Sequence, residues 1–230
     1  MSTVFMLCER SVNLINGKRL ALSASERNML EALNYDGLVA AHAQEEAVSC
    51  VKHFAAVRDR LLRAEPWVFA GKSASPAQLS SGLDGWAYSY NLPADCISPL
   101  TVVALRPDGG RPFTAERYEV AGRMIGCPYP SVKIRYTAKI TDTNLWDPLF
   151  EDVFCFSLAM EITSGVTGEV SSQGSLEQRA MLGLERARAA GAIKTPMAIP
   201  LAGRLNGYSD AGSDLYRAPA DLVWTGSEWI

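Results

Sequence analysis

The sequence predicts an α+β protein, mainly an α-helical bundle, into which a small antiparallel β domain is inserted and after which an extended C-terminal tail follows. Apolar residues recur at helical spacing on both sides of a central stretch. Within that stretch, residues 67–140, short alternating segments are separated by turn signals such as Asp84-Gly85, Pro93, Pro107-Asp108-Gly109-Gly110 and Pro128-Tyr129-Pro130. Beyond residue 192 no period survives. The resulting divisions are an N-terminal extension over 1–22, a bundle built from 23–66 and 144–191, a β domain over 67–143 and a tail over 192–230.

Each element has a local reason. Val12-Asn13-Leu14-Ile15, Asn16-Gly17 and Lys18-Arg19-Leu20-Ala21 read as a β-hairpin, because Asn-Gly supplies the positive φ values of a type I′ turn. From Ser25 the spacing is helical: Met29, Leu30 and Leu33 share a face, Ser23 or Ser25 can cap the start, and Asp36-Gly37 can end it. A longer helix is predicted over 38–64, with Val48, Val51, Ala55 and Leu62 inward, and Pro66 stops it. In the strand over 132–140, Val132, Ile134 and Tyr136 alternate with Lys133, Arg135 and Thr137, which assigns one buried and one wet face. Asp147 can cap the next helix, with Pro148 at its first position and Phe150, Val153, Phe154, Leu158 and Ile162 as its apolar stripe. A last helix over 171–190 contains Gly174 and Gly183, each costing about 1 kcal/mol against alanine, so tertiary packing must hold it. Gly191 can cap its end.

Composition bounds the function. Apolar residues make up 48% and charged residues 20%, as in ordinary globular proteins. A net charge of −3 and a pI near 5.5 lack the basic footprint of a strong nucleic-acid binder. Cys8, Cys50, Cys96, Cys127 and Cys155 are odd in number and scattered without a C-x-x-C pair, which reads as free thiols in a reducing compartment. Residues 1–9 carry no basic n-region and too short an apolar core for a signal peptide, and no run of about 18 apolar residues occurs, so no membrane span is expected.

Several residue sets invite chemistry. Gly71-Lys72-Ser73 ends like a phosphate-binding loop, but that loop needs a glycine where Pro66 stands. His42, Glu46, Cys50 and His53 fall on one face of the long predicted helix, yet the two histidines would lie about 16 Å apart along its axis, too far for one metal ion. The plainer reading puts Cys50 in the core and the histidines at its edge. Trp86, Tyr88 and Tyr90 at a spacing of two can stack bases or sugars, or simply pack a small sheet. Lys133, Arg135 and Lys139 make a basic strand face, either solvated or turned to an acidic partner. Arg58, Arg60 and Arg63 suit the negative end of a helix. Asp95 in Leu92-Pro93-Ala94-Asp95 reads as a turn residue, and neither it nor Cys96 has a nominated catalytic partner. With no convergent polar motif, the expectation is a non-enzymatic assembly subunit without cofactor or metal. Large rings in the tail, Tyr208, Tyr216, Trp224 and Trp229, are candidate partner contacts, because disorder goes with low hydrophobicity.

The order of these pieces is itself a signal. Arg58-Asp59-Arg60-Leu61-Leu62-Arg63, then Pro66-Trp67-Val68-Phe69-Ala70, then Gly85-Trp86-Ala87-Tyr88-Ser89-Tyr90-Asn91-Leu92-Pro93-Ala94-Asp95-Cys96 follow one another. Tyr118-Glu119-Val120 to Gly122, the strand over 132–140 and Trp146-Asp147-Pro148-Leu149-Phe150 complete the run. Over residues 24–190 this resembles the tail tubular protein A family, the head-to-tail adaptors of short-tailed bacteriophages. The resemblance implies a virion protein forming a homo-oligomeric ring, of twelve copies in that family. Such a ring docks beneath the portal protein, holds the tail nozzle or another tail protein, and lines a channel through which genome DNA passes without sequence-specific binding. It implies residence at the head–tail junction of the virion, and in the host cytoplasm during assembly. The hairpin before residue 24 and the tail after residue 196 depart from the family pattern. Two other classes stay open: a host-attachment or carbohydrate-binding module using the Trp86-Tyr88-Tyr90 face, and a hydrolase with a site formed between subunits.

Overall fold

The computed structural model describes residues 2–17, 19–80, 82–106, 110–166 and 173–193. Over these the chain is mixed α/β, with six α-helices, one 3-10 turn and two small antiparallel sheets. The tail beyond residue 193 lies outside the described residues.

The chain opens with a helix where a hairpin was expected. In α1 (Val4–Asn16) the buried residues Val4, Leu7, Cys8, Ser11 and Val12 follow helical spacing, and Gly17, at φ 68°, is the left-handed cap that ends it. The same positive φ that made Asn16-Gly17 look like a turn closes a helix here. Three orphan N–H groups of the first turn are satisfied, and the first helical bond follows them. Val4 and Phe5 donate to the Glu31 carboxylate, Met6 to Thr3 Oγ1 and Leu7 to the Thr3 carbonyl.

Helix α2 (Ala24–Glu31) begins with a capping box between Ser23 and Glu26. It stops at Leu33, whose φ of 52° places the Leu33 and Asn34 N–H groups on the Leu30 and Met29 carbonyls. Asp36-Gly37 therefore ends nothing and lies inside α3 (Tyr35–Ala40). The long helix expected over 38–64 is likewise divided. His42, at φ 51°, closes α3, and α4 (Glu45–Ala64) starts afresh. Histidine is among the residues that tolerate this conformation, so no glycine marks the break. On α4 the buried face is Ala47, Cys50, Val51, Phe54, Val57, Arg58, Leu61 and Leu62, whereas Ala55 is exposed.

Among the described residues, seven strands lie between α4 and the next α-helix. The first sheet has the order β1-β7-β3-β4, from β1 (Gly71–Ala74), β7 (Val132–Ala138), β3 (Cys96–Ala104) and β4 (Phe113–Thr114). The second has the order β2-β6-β5, from β2 (Tyr88–Asn91), β6 (Met124–Cys127) and β5 (Glu119–Ala121). The alternation expected in β7 holds from Val132 to Tyr136. It ends there, because Thr137 and Ala138 are both buried at the end of the strand. Pro99 is tolerated in β3 because a register irregularity follows it, and β4 pairs only with Val103 and Ala104.

Helix α5 (Pro148–Val166) is the axis of the helical layer, packed by α1, α4 and α6 (Gln173–Ala189). Asp147 Oδ1 accepts from the Leu149 N–H at 2.8 Å, so the expected cap with Pro148 in the first turn is present. Phe150, Val153, Phe154, Leu158 and Ile162 are all fully buried. Phe150 meets Trp67, Phe69 and Trp146 edge-on, with centroids 4.9–5.0 Å away, and Phe54 and Phe154 extend the cluster. Two indoles finish polar work at its rim. Trp67 Nε1 donates to the carbonyl of Leu61, an orphan acceptor in the last turn of α4, and Trp146 Nε1 donates to that of Ile140.

Helix α6 ends in a Schellman motif, with Gly191 at φ 74° and the Gly191 and Ala192 N–H groups on the Arg188 and Ala187 carbonyls. The chain then returns to the turn after α4, where Val68 N–H donates to Ala192 O and Trp67 bridges Ile193. Gly183 is where α6 meets α5. A Cβ there would lie 2.8 Å from Val153 Cγ2 on a stiff, fully buried side chain.

Phe150→Ala is expected to lower stability by about 3–5 kcal/mol, read from urea unfolding, because it empties the middle of the aromatic cluster. Gly183→Ala should also destabilise, by about 1 kcal/mol or more, although helix propensity alone predicts a gain of about 1 kcal/mol. Unfolding midpoints that rise in that variant would show that α5 and α6 can separate at no cost.

Candidate functional site

The densest polar junction is built on Leu92-Pro93-Ala94-Asp95-Cys96, between the two sheets. Asp95 Oδ2 accepts from Lys72 Nζ at 2.8 Å on β1, and Oδ1 accepts from the Tyr136 hydroxyl at 2.9 Å on β7. Its backbone carbonyl accepts from the Lys139 N–H at 2.7 Å. From the tight turn linking β5 and β6, the Arg123 guanidinium donates to the Leu92 and Pro93 carbonyls. One turn thus holds β1, β7 and the start of β3 to the second sheet.

The electrostatics of the turn follow from these contacts. Lys72, then Tyr136, hold the Asp95 carboxyl below its usual range despite some desolvation. Burial, with Asp95 beside it, pushes the Tyr136 hydroxyl up to about 12, so it remains a neutral donor. Burial also raises the Cys96 thiol above its ordinary value, which works against a nucleophilic thiolate. The other cysteines are buried and free as well. Burial pushes Cys8 well up and Cys155 to about 12, and it raises Cys127 too.

The remaining sequence-derived candidates separate in space. His42 sits in the left-handed turn before α4, so the supposed row of His42, Glu46, Cys50 and His53 does not exist as one helix face. Cys50 is in the core and its thiol points to the Cys8 carbonyl. Among the described residues no group of three or more His, Cys, Asp or Glu is arranged to hold a metal. Among them, too, no helix is long and apolar enough to cross a membrane.

The aromatic row is taken up by packing. Trp86 precedes β2, lies over Gly126 and donates from Nε1 to Glu119 at 2.7 Å. Tyr90 is 2% exposed, with its hydroxyl on the Tyr129 carbonyl, and Tyr88 is half-buried. Of the arginines near the end of α4, Arg58 is buried against the Asp59 carboxylate, Arg60 pairs with Glu161, and Arg63 is exposed. Lys139 falls outside β7 and pairs with Asp59, which leaves Lys133 and Arg135 as the strand's wet cations.

Tyr208, Tyr216, Trp224 and Trp229 lie outside the described residues. Within those residues, the surface offers apolar pairs that sequence reasoning missed. Tyr35 and Val39 are 42% and 46% exposed on α3, four residues apart and so on one face. Met181 and Leu182 on α6 are 56% and 45% exposed. The signal available was two adjacent apolar residues on a helix whose buried positions are Leu176, Ala180, Gly183 and Ala187.

No protein-family model matches this chain, and no curated protein matches it either.

Asp95→Asn should lower stability at pH 7 by about 1 kcal/mol or less, since the half-exposed carboxylate is screened by water. Because the folded-state pKa is depressed, this contribution is full above about pH 4 and is lost as pH falls through the lower folded value. Urea unfolding of both proteins at pH 7 and pH 3 should show their difference shrinking in acid. A difference that stays constant would assign the loss to packing.

Proposed function

We propose that this chain is a structural virion protein, the subunit of a head-to-tail adaptor ring that joins the portal to the tail of a bacteriophage and surrounds the path of its DNA. In this reading helices α1–α6 act as a helical bundle that makes the subunit contacts, and the aromatic tail from residue 195 straps onto the portal or a neighbour.

The observation that carries the reading is that, among eleven exposed large apolar residues of the described chain, two unlike pairs, Tyr35 with Val39 and Met181 with Leu182, fall on two different helices. A heterologous, head-to-tail contact joins two different patches, one from each neighbour, and closes a ring when the rotation allows. An isologous dimer needs only one patch. The ordered run from the basic end of α4 to Trp146-Asp147-Pro148-Leu149-Phe150 supports the same class. Its residues supply the indole bond to the end of α4, the Asp95 bond to β7 and the Trp146–Phe150 ring contact at the start of α5. Burial of the raised-pKa cysteines is compatible with a non-catalytic subunit of this kind.

Native mass spectrometry of the purified chain with the portal protein of the same virus should give a discrete complex, with one copy per portal subunit. No complex would sink the adaptor reading. Met181→Asp/Leu182→Asp should reduce copies bound while leaving the circular dichroism spectrum of the free chain unchanged. Deleting residues 224–230 should weaken docking at least tenfold without unfolding the chain, and unchanged docking would refute the strap.

A further inference from the structure

We propose that the wet face of the four-stranded sheet contacts the phosphodiester backbone of duplex DNA. The register places Ser73, Arg135 and Thr101 in one row across β1, β7 and β3. The next row, from β7, β3 and β4, is Lys133, Val103 and Thr114. Arg135 is thus flanked by two hydroxyls, while Lys133 has Val103 beside it and Thr114 one strand further on; cations and hydroxyls are side-chain types that contact phosphates. Lys133 and Arg135 lie two residues apart on one strand, about 7 Å along it, so they can meet neighbouring phosphates of one DNA strand.

Two features separate this face from an ordinary solvated one. None of the four strands contains an Asp or Glu, so the face has no carboxylate of its own to compete. Elsewhere Arg10, Arg58, Arg60, Lys72, Lys139 and Arg188 are all held in ion pairs. Among the described residues, Lys133 and Arg135 are exposed and in none of those pairs, and they share one strand face, whereas the likewise exposed Lys52 and Arg179 lie singly on separate helices. The chain's net charge of −3 keeps such a contact weak, local and dependent on low salt. That suits DNA that must slide past. The assignment rests on the adaptor reading only for what brings DNA to the sheet.

The test is fluorescence anisotropy of a labelled 20-base-pair duplex (length about two helical turns) titrated with the full chain at about 50 mM salt and above. Expected is weak, sequence-independent binding that Lys133→Gln/Arg135→Gln weakens at least tenfold, reducing the slope of log affinity against log salt by about 2. The charge-matched control, Lys52→Gln/Arg179→Gln on the helices, should stay within threefold of the original chain. Equal losses in both double variants, or no measurable binding by the original chain, would overturn the proposal. Displacement of the duplex by polyglutamate at equal charge concentration would also overturn it, in favour of an acidic protein surface. Portal binding by Lys133→Gln/Arg135→Gln, read by native mass spectrometry, should be intact. DNA binding lost with portal binding retained supports the face. Portal binding absent from the original chain refutes the adaptor reading, while the anisotropy still decides the face.

Discussion

The contact on which the rest of the structure depends is the edge-on packing of Phe150 against Trp67, Phe69 and Trp146. These four rings come from the turn after α4, the segment before α5 and α5 itself, so one cluster fixes the entry to the strands and the exit from them. Aromatic rings suit such a junction because each buries a large apolar area and prefers a defined edge-to-face geometry. The two indole N–H groups then absorb the carbonyls that a helix end and a strand exit would otherwise leave unpaired. With both ends of the strand region clamped, the sheets add their own buried residues, Tyr90, Val102, Ile125 and Ile134 among them. Asp95 ties them further by receiving Lys72 and Tyr136 from neighbouring strands.

Much of the architecture was legible because its signals are local. The Asp147-Pro148 start of α5 and its stripe from Phe150 to Ile162 follow from capping chemistry and a 3.6-residue period. The strand β7 follows from a period of two as far as Tyr136. What misled was ambiguity in the same signals. Asn16-Gly17 supplies a positive φ for a hairpin or for a helix cap, and only the spacing of Val4, Leu7, Cys8, Ser11 and Val12 decides between them. Leu33 and His42 adopt left-handed conformations without being glycine, so the breaks around α3 carry no sequence mark.

The candidate surfaces were less legible than the fold, for a physical reason. Lys72 and Tyr136 reach Asp95 across 23 and 41 residues of chain, and no periodicity joins them. For Trp86, Tyr88 and Tyr90 the spacing of two reads as a strand, but the register that sets Trp86 over Gly126 lies in the pairing of β2 with β6. The exposed pairs on α3 and α6 depend on which helix faces their neighbours cover, α2 and α4 for α3 and α5 for α6, which is a property of the assembled layer. The Lys133 and Arg135 face was visible as an alternation. The hydroxyls beside it and the pairing of Lys139 with Asp59 emerge only when the strands are laid side by side.

The way α6 ends has a mechanical consequence. After the Gly191 cap the chain turns back to hydrogen-bond with Val68 and to bridge Trp67, so Ile193 is anchored to the aromatic cluster as well as to its own helix. Force applied to the chain beyond Ile193 therefore acts first on that short antiparallel pairing, while the backbone hydrogen bonds of α6 remain unloaded. A chain anchored in this way can bear tension at Ile193 through the turn between its helices and sheets, where the rings of Trp67, Phe69, Trp146 and Phe150 are packed.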